Sequence, residues 1–319
     1  MTRYVVSRLF SAGLSLIGVS IIIFVLMQIL PGDVARTILI GTSGEGSATP
    51  ERVAALRHEL GLDQPVHIQY LSWLVGLFRL DVGRSLTTGF PVFQEIQNRL
   101  PLTLELSILT VIFGTLLSIP MGVASAIRQN TWIDHLMRII SVAGIAMPIF
   151  WTGTLIVLVL AVGFHWLPPL GYVPPWRDPW ANFQQLIWPA LALGYYHTAV
   201  VARMTRSQML EVLRQDYVRT AWAKGLRERV VISRHALRNA LLPVVTLISI
   251  QFSFSVGGTV IMETLFFLPG IGKALVDAIN FKDFPMVQTI IVLFAALVLI
   301  INLLTDLAYG ALDPRITFK

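Results

Sequence analysis

Long apolar runs alternate with short polar stretches along most of the chain. A helix rises about 1.5 Å per residue, so most of these runs are long enough to cross the roughly 30 Å hydrocarbon core of a bilayer. The pattern therefore predicts an all-α membrane protein with six transmembrane helices. The predicted spans cover residues 9–30, 102–127, about 139–163, about 186–201, 241 to about 262 and 287–309.

The polar loops between these spans predict the topology. Basic residues in the loops at 128–138 and 203–240 fall on the same side of the membrane as Arg3 and Arg8. Short loops rich in Lys and Arg stay in the cytoplasm. Both termini are therefore predicted to be cytoplasmic.

The same pattern predicts three regions. Residues 1–30 hold the first span, which is too long to be the apolar part of a cleaved signal peptide. Residues 31–101 form an extracytoplasmic loop region in which we expect short helices. Residues 102–319 form a five-span core, and the loop at about 203–240 is its largest cytoplasmic segment.

The composition is that of a membrane protein, and it bears on which partners the chain can have. Of the 319 residues, 55% are hydrophobic and 13% are charged, with a mean hydropathy of +0.71, whereas a soluble domain carries about 25% charged residues. A net charge of +6 could suggest nucleic acid, but the basic residues cluster in one loop between spans. The positive-inside bias explains that clustering better, so we expect membrane lipid around the chain and no nucleic acid. The chain has no cysteine, which excludes disulfides and cysteine-ligated metals.

Two spans carry further signals. Gly114 and Gly122 lie eight residues apart with Ser118 between them, a spacing of small residues that permits close helix contact. The fifth span is the most polar, and its polar residues either hydrogen-bond between packed helices or line a wetted pathway. Phe150, just after Pro148 in the third span, is open to the same two interpretations. The pathway candidates are Gln251, Ser253, Ser255, Thr259 and Phe150.

The densest basic charge lies between the fourth and fifth spans. From Arg203 to Arg238, nine Lys and Arg residues stand against three acids. A short helix is predicted near residues 216–225, where Ala221 and Gly225 are small enough for the groove of another protein to approach the backbone.

This loop resembles the EAA loop of permease subunits of bacterial ABC importers. Ala221 and Gly225 match the second alanine and the glycine of that motif, and Leu242 and Pro243 match its closing Leu-Pro. In that family, the loop forms a short cytoplasmic helix that docks on an ATP-hydrolysing subunit.

Two departures from the general motif define the branch. Arg219 and Thr220 stand where the motif has Glu and Ala, and the gap before Leu242 is longer. Both features resemble the dipeptide, oligopeptide and nickel branch. By resemblance, the residues that couple the chain to the ATPase are Asp216, Tyr217, Arg219, Thr220, Ala221, Lys224 and Gly225.

The resemblance also implies a setting. We expect the type I ABC importer permease fold in the bacterial inner membrane. The expected partners are a homologous second permease, two ATP-binding subunits and an extracytoplasmic solute-binding protein. The chain itself would hold no cofactor, and ATP and Mg²⁺ would bind to the partner subunits. The expected cargo is a di- or oligopeptide, with nickel, glutathione or a sugar as alternatives.

Two other classes of membrane protein fit the sequence less well than an ABC importer permease. Residues 268–273 look like a phosphate loop, but Phe267 and Ala274 stand where that loop needs Gly and Ser or Thr. An intramembrane enzyme or assembly factor needs a paired catalytic set at membrane depth. A gradient-driven carrier usually shows repeats and paired intramembrane charges, whereas His197 has no carboxylate on its helix face. We therefore predict a transport subunit that is not an enzyme. The first alternative is a gradient-driven secondary carrier, and the second, less favoured one is an intramembrane enzyme or assembly factor.

Overall fold

The computed structural model describes residues 2–29, 35–36, 39, 49–59 and 61–312, and all regular structure in these residues is helical. The predicted boundary between the first two regions, at residues 30–31, lies outside them. The helices are α1 Thr2–Ile29, α2 Pro50–Glu59, α3 Val66–Arg79, α4 Val92–Ile127, α5 Trp132–Ala146, α6 Ile149–Leu158, α7 Pro179–Val212, α8 Asp216–Ala223, α9 Arg238–Leu265, α10 Ile271–Asn280 and α11 Phe284–Leu312.

Four helical segments of the described chain are long and apolar enough to cross a membrane. They are Val6–Ile29, Val92–Ile127, Glu228–Leu265 and Phe284–Asp306. The third of these includes a π-helical turn, Val231–Leu237, that leads into α9. Helices α5 and α6 make a fifth span if they are taken as one broken segment. The structure thus gives four or five spans, and the six-span count and the side of the termini stay predictions.

The third predicted span is broken at Pro148. Because a residue before proline is driven out of the helical region, Met147 adopts an extended backbone with φ −82° and ψ 127°. Proline also lacks the amide hydrogen that would continue the ladder. Helix α5 therefore ends at Ala146, α6 restarts at Ile149, and their axes differ by 105°. The third predicted span is therefore two helices and not one continuous helix.

The fourth predicted span is only part of α7. This helix begins where Asp178 Oδ1 accepts hydrogen bonds from the amides of Trp180 and Ala181, each at 3.0 Å, which satisfies two amides of the first turn. It then continues past the predicted end at residue 201 to Val212. The added turns carry Arg203 and Arg206. By length and composition, α7 is not among the described helices that could cross a membrane.

Contacts divide the chain into two compact units. The first comprises residues 1–101 and 269–319. Its core includes Val92, Ile271 and Ile290. A polar turn is fastened to this core because the carboxylate of Asp283 accepts hydrogen bonds from the Ser85 hydroxyl and from the Thr87 amide.

The second unit, Leu102–Leu268, is built around α7. Helices α4, α6 and α9 contribute to one apolar core with it, which includes Leu106, Leu193 and Met262. A second, smaller core lies where α7 and the π-helical turn meet, around Met209 and Ala236.

Helices α4 and α7 approach closely at the predicted small residues. A β-carbon on Gly122 would lie 2.7 Å from the carbonyl oxygen of Ala202, and one on Gly114 would overlap the ring of His197. His197 is buried, and its Nε2 lies 3.3 Å from Thr115 Oγ1. The structure therefore places His197 in the contact between α4 and α7.

We predict that Gly122→Ala destabilises the protein. The added methyl group would meet backbone on α7, and overpacking of this kind costs about 1–3 kcal/mol. The thermal unfolding midpoint of the purified protein in detergent measures this. The matched control is Gly18→Ala in α1, where a β-carbon would meet nothing within 4 Å. Equal midpoints for the two variants would contradict the close contact.

Candidate functional site

The predicted cytoplasmic helix is present as α8, Asp216–Ala223. Its first turn carries Asp216, whose negative charge is favourable at a helix N-terminus. The helix closes at Lys224, and Gly225 follows with φ +74°. Glycine adopts this left-handed conformation without steric cost, which explains why the helix stops there.

One face of α8 packs on its own chain. Val218 is fully buried and Ala221 is 4% exposed, and both contact Val231 in the π-helical turn. This differs from the expectation that Ala221 would face a partner. Its small side chain instead lets α8 lie close to the turn that leads into α9.

The other face of α8 is open. Arg219 and Lys224 are exposed, and so are two aromatic side chains, Tyr217 at 43% and Trp222 at 44%. Tyrosine, tryptophan and arginine are the residue types enriched where binding energy concentrates in interfaces. Trp222 was not among the predicted site residues, although an aromatic residue on a short polar helix is a signal that could have found it.

Hydrogen bonds hold the open face in place. Asn239, in the first turn of α9, donates from Nδ2 to the Tyr217 hydroxyl at 2.9 Å. Thr220 is exposed and donates to the Asp216 carbonyl at 2.9 Å, within the helix. The ion pair of Arg219 with Asp216 spans 3.4 Å between exposed groups, so it contributes little to stability and leaves Arg219 available to a partner. Sequence reasoning missed Asn239.

A buried ion pair braces the helices behind α8. Both carboxylate oxygens of Asp134 accept from Arg206, Oδ1 from Nε at 2.8 Å and Oδ2 from Nη2 at 2.9 Å. Ser125 Oγ and the Asn130 amide donate to the same carboxylate. The pair joins α5 to α7, and Ser125 joins both to α4. Asp134 is completely buried.

The pathway candidates separate into two groups. Gln251, Ser255 and Thr259 are buried within the chain, which favours the packing interpretation for all three. Ser253 is half-buried, and Phe150 is 56% exposed.

A different face of α9 is open. Ile250, Phe254 and Ile261 are exposed, as is Gly257. These positions follow a spacing of three and four residues, so they form one stripe along the helix. We call these four residues the α9 stripe. Its helical periodicity is visible in the sequence, but the stripe has no polar side chain that would mark it as a site.

The architecture defines a class of protein: a multi-pass helical membrane protein with a short amphipathic helix presented from its polar loop. Comparison with known families agrees. Residues 118–318 match the family described as the inner membrane component of binding-protein-dependent transport systems, and residues 1–107 match the N-terminal family of the same components. The chain belongs to this family. It is a permease subunit of the inner membrane and not an enzyme.

Relatives match over the full length. The chain is 40% identical to the dipeptide transport system permease protein DppB of Alkalihalophilus pseudofirmus. It is 42% identical to a putative peptide transport system permease protein of Brucella abortus, and 38% identical to the glutathione transport system permease protein GsiC of Salmonella typhimurium. In each case the match covers 100% of this chain and 100% of the relative.

Solved structures agree on the fold. An inward-facing structure of the MetNI methionine ABC transporter aligns with a TM-score of 0.56 and 18% identity, over 69% of this chain and 97% of that one. At this identity the likeness shows the fold alone, which is that of an ABC importer permease.

We predict that Arg206→Met destabilises the protein by about 3–5 kcal/mol, because it leaves the buried carboxylate of Asp134 without its partner. Chemical unfolding in detergent measures the loss. Arg138→Met is the matched control. The guanidinium of Arg138 lies 3.9 Å from Asp134 and is 47% exposed, so its loss should cost less than about 1 kcal/mol.

A double variant separates charge from packing. Asp134→Leu combined with Arg206→Met removes both charges and should recover most of the lost stability. If Arg206→Met were as stable as Arg138→Met, the pair would not brace the helices.

Proposed function

We propose that this permease moves di- or oligopeptides across the inner membrane, driven by ATP hydrolysis in partner subunits, and that α8 is the helix that couples them. One observation carries the proposal: α8 buries one face on its own chain and leaves an aromatic and basic face open. That face includes Tyr217, Arg219, Trp222 and Lys224. Asp216, Thr220 and Gly225 complete the coupling segment.

The packing behind α8 supports a mechanical role. Val218 and Ala221 contact the π-helical turn, which runs directly into α9. Met209, near the end of α7, packs against the same turn. A displacement of α8 would therefore be passed to α7 and α9 together. Movement of a rigid element at a subunit interface is an established way to switch between two states.

The second permease would cover the α9 stripe. The opposite face of α9 is already occupied, because Gln251 and Thr259 are buried within the chain. We therefore propose that the stripe, with Ser253 beside it, faces the partner permease and bounds the path between the two chains. Phe150 remains a candidate for the same path, since its side chain is exposed.

The proposed topology has six spans with both termini in the cytoplasm. The four apolar segments and the broken α5–α6 pair supply five spans. We assign the sixth to α7, whose first part is apolar and whose last turns are basic. This places the loop that holds α8 in the cytoplasm, where ATP and Mg²⁺ would bind to two ATPase subunits.

The cargo and its delivery follow from the relatives. Those compared above are named for dipeptide, peptide and glutathione transport, and all three substrates are short chains of amino acids joined by amide bonds. We infer a cargo of this class, delivered by a soluble solute-binding protein on the outer side.

We predict that Trp222→Ala lowers ATP-dependent peptide uptake at least tenfold while the chain stays in the membrane, because truncating a central aromatic residue costs an interface about 2 kcal/mol or more. The measurement is uptake of a labelled dipeptide by proteoliposomes that contain the complete complex. Trp176→Ala is the matched control, since Trp176 is equally large and 78% exposed outside α8. Normal uptake by the Trp222 variant would contradict the docking role.

We also predict that the energy source is ATP and not an ion gradient. In the same proteoliposomes, a protonophore and a sodium ionophore should leave uptake unchanged while ATP is present. Removal of internal ATP should stop uptake. The reverse pattern would identify a gradient-driven secondary carrier.

A further inference from the structure

A shallow cavity lies between α4, α5 and α7, apart from α8 and from the α9 stripe. Its volume is about 220 Å³. The walls are largely apolar and the rim is basic. The walls include Met121, Met137, Val142 and Ala202, and the rim carries Arg138, Arg203 and Arg206.

The three guanidinium groups differ in how strongly they are paired with other protein groups. Arg206 is paired with Asp134 through two hydrogen bonds. Arg138 is half-exposed; its Nη2 lies 2.5 Å from His135 Nδ1, and its Nε lies 3.9 Å from the carboxylate of Asp134. Arg203 is exposed and forms no ion pair or hydrogen bond with any residue that the structure describes. Three positive charges against the single negative charge of Asp134 leave the rim with an excess of two.

The position of Ser141 is a second, independent indication that the cavity binds a ligand. It lines the cavity and is 6% exposed. Its hydroxyl forms no hydrogen bond with any residue that the structure describes, and it is not fully enclosed, so it can donate to a group bound in the cavity. A bound group that supplies an acceptor oxygen next to the arginines would satisfy it.

The surface beside the cavity fits lipid. Trp132, Ile139 and Val142 are 72%, 66% and 60% exposed, and their spacing of seven and three residues places them on one face of α5. Tryptophan is enriched where the headgroups meet the hydrocarbon. The face therefore runs from a headgroup-level aromatic residue along an apolar surface that acyl chains can cover.

We propose that this cavity binds the headgroup of an anionic phospholipid from the cytoplasmic leaflet. The phosphate would lie between Arg203 and Arg138, with the Ser141 hydroxyl donating to one of its oxygens, and an acyl chain would follow Ile139 and Val142. Basic pockets between membrane helices on the cytoplasmic side bind anionic headgroups, and guanidinium groups match phosphate geometry. The choice of leaflet rests on the topology proposed above, and the site itself does not depend on the cargo.

The test counts bound lipid on the intact complex. Complexes in nanodiscs of phosphatidylethanolamine with one-quarter phosphatidylglycerol are released into mild detergent, and native mass spectrometry measures the phosphatidylglycerol retained. We expect retention by the original chain to be about fivefold higher than by Arg203→Gln, the effect of one basic residue near a charged surface. Ser141→Leu, which fills the cavity without changing its charge, should lower retention as well.

Arg128→Gln is the matched control. Arg128 is an exposed arginine in the turn between α4 and α5 and does not line the cavity, so its loss should leave retention unchanged. Equal retention by all four proteins would overturn the proposal, as would no preference for phosphatidylglycerol over phosphatidylethanolamine. Peptide uptake, measured separately, reports on the proposed function, so failure of one proposal can be told from failure of the other.

A cross-linking experiment distinguishes lipid from a protein occupant. Because the chain has no cysteine, Val142→Cys provides a unique attachment point for a benzophenone maleimide. On illumination we expect adducts with phospholipid. Cross-links from this position to the second permease would show that protein covers the cavity and would overturn the proposal.

Discussion

The buried ion pair between Asp134 and Arg206 holds together the end of the helix bundle from which α8 projects. A carboxylate with no exposed surface is stable only when it is fully paired, and Asp134 has four donors from α4, α7 and the turn before α5. The pair, with Ser125, therefore fixes the relative positions of three helices near the end of α7, which leads into the loop that holds α8. If α8 is to transmit a movement, it needs such a base, because a loose helix end would absorb the displacement locally.

Away from this charged end, the helices are held by shape. In a membrane, apolar side chains gain little by leaving lipid for one another, so close van der Waals packing and hydrogen bonds must hold the helices together. Gly114 and Gly122 allow the backbones of α4 and α7 to approach, and Tyr195 reaches across from α7 to donate to the Ile140 carbonyl at 2.8 Å. The polar residues of α9 are also satisfied by hydrogen bonds inside the protein. Ser255 and Thr259 donate to backbone carbonyls of their own helix. Polarity in a span is thus a poor guide to a pathway unless exposure is known.

Much of the architecture was readable from the apolar pattern. The runs at 102–127 and 287–309 lie within α4 and α11, and α1 covers the first run from residue 9 to Ile29, because a long apolar stretch in a bilayer forms a helix. The break after Ala146 was harder to predict, since a proline can either kink a helix or end it. The outcome depends on which groups are close enough to hydrogen-bond the backbone carbonyl that the proline leaves unpaired. The inward position of Ala221 and the pairing of Asp134 with Arg206, 72 residues away, depend on tertiary contacts that no local pattern encodes. The position of α8 was predictable from its motif, whereas its orientation was not.

The open surfaces of the second unit are chemically distinct, and this difference argues for different neighbours. The face of α8 offers aromatic rings and charges, which suits a soluble protein surface. The α9 stripe is apolar and includes Gly257, so a helix of another chain can approach it closely. The α5 face is apolar with a tryptophan at one end and arginines beside it, a combination that matches a lipid leaflet. If α8 transmits force between an ATPase and a second permease, as proposed, the subunit must also stay fixed in the bilayer against that force. Binding of a headgroup at the braced end of α5 and α7 would provide such an attachment on α7, the helix that leads into the loop holding α8.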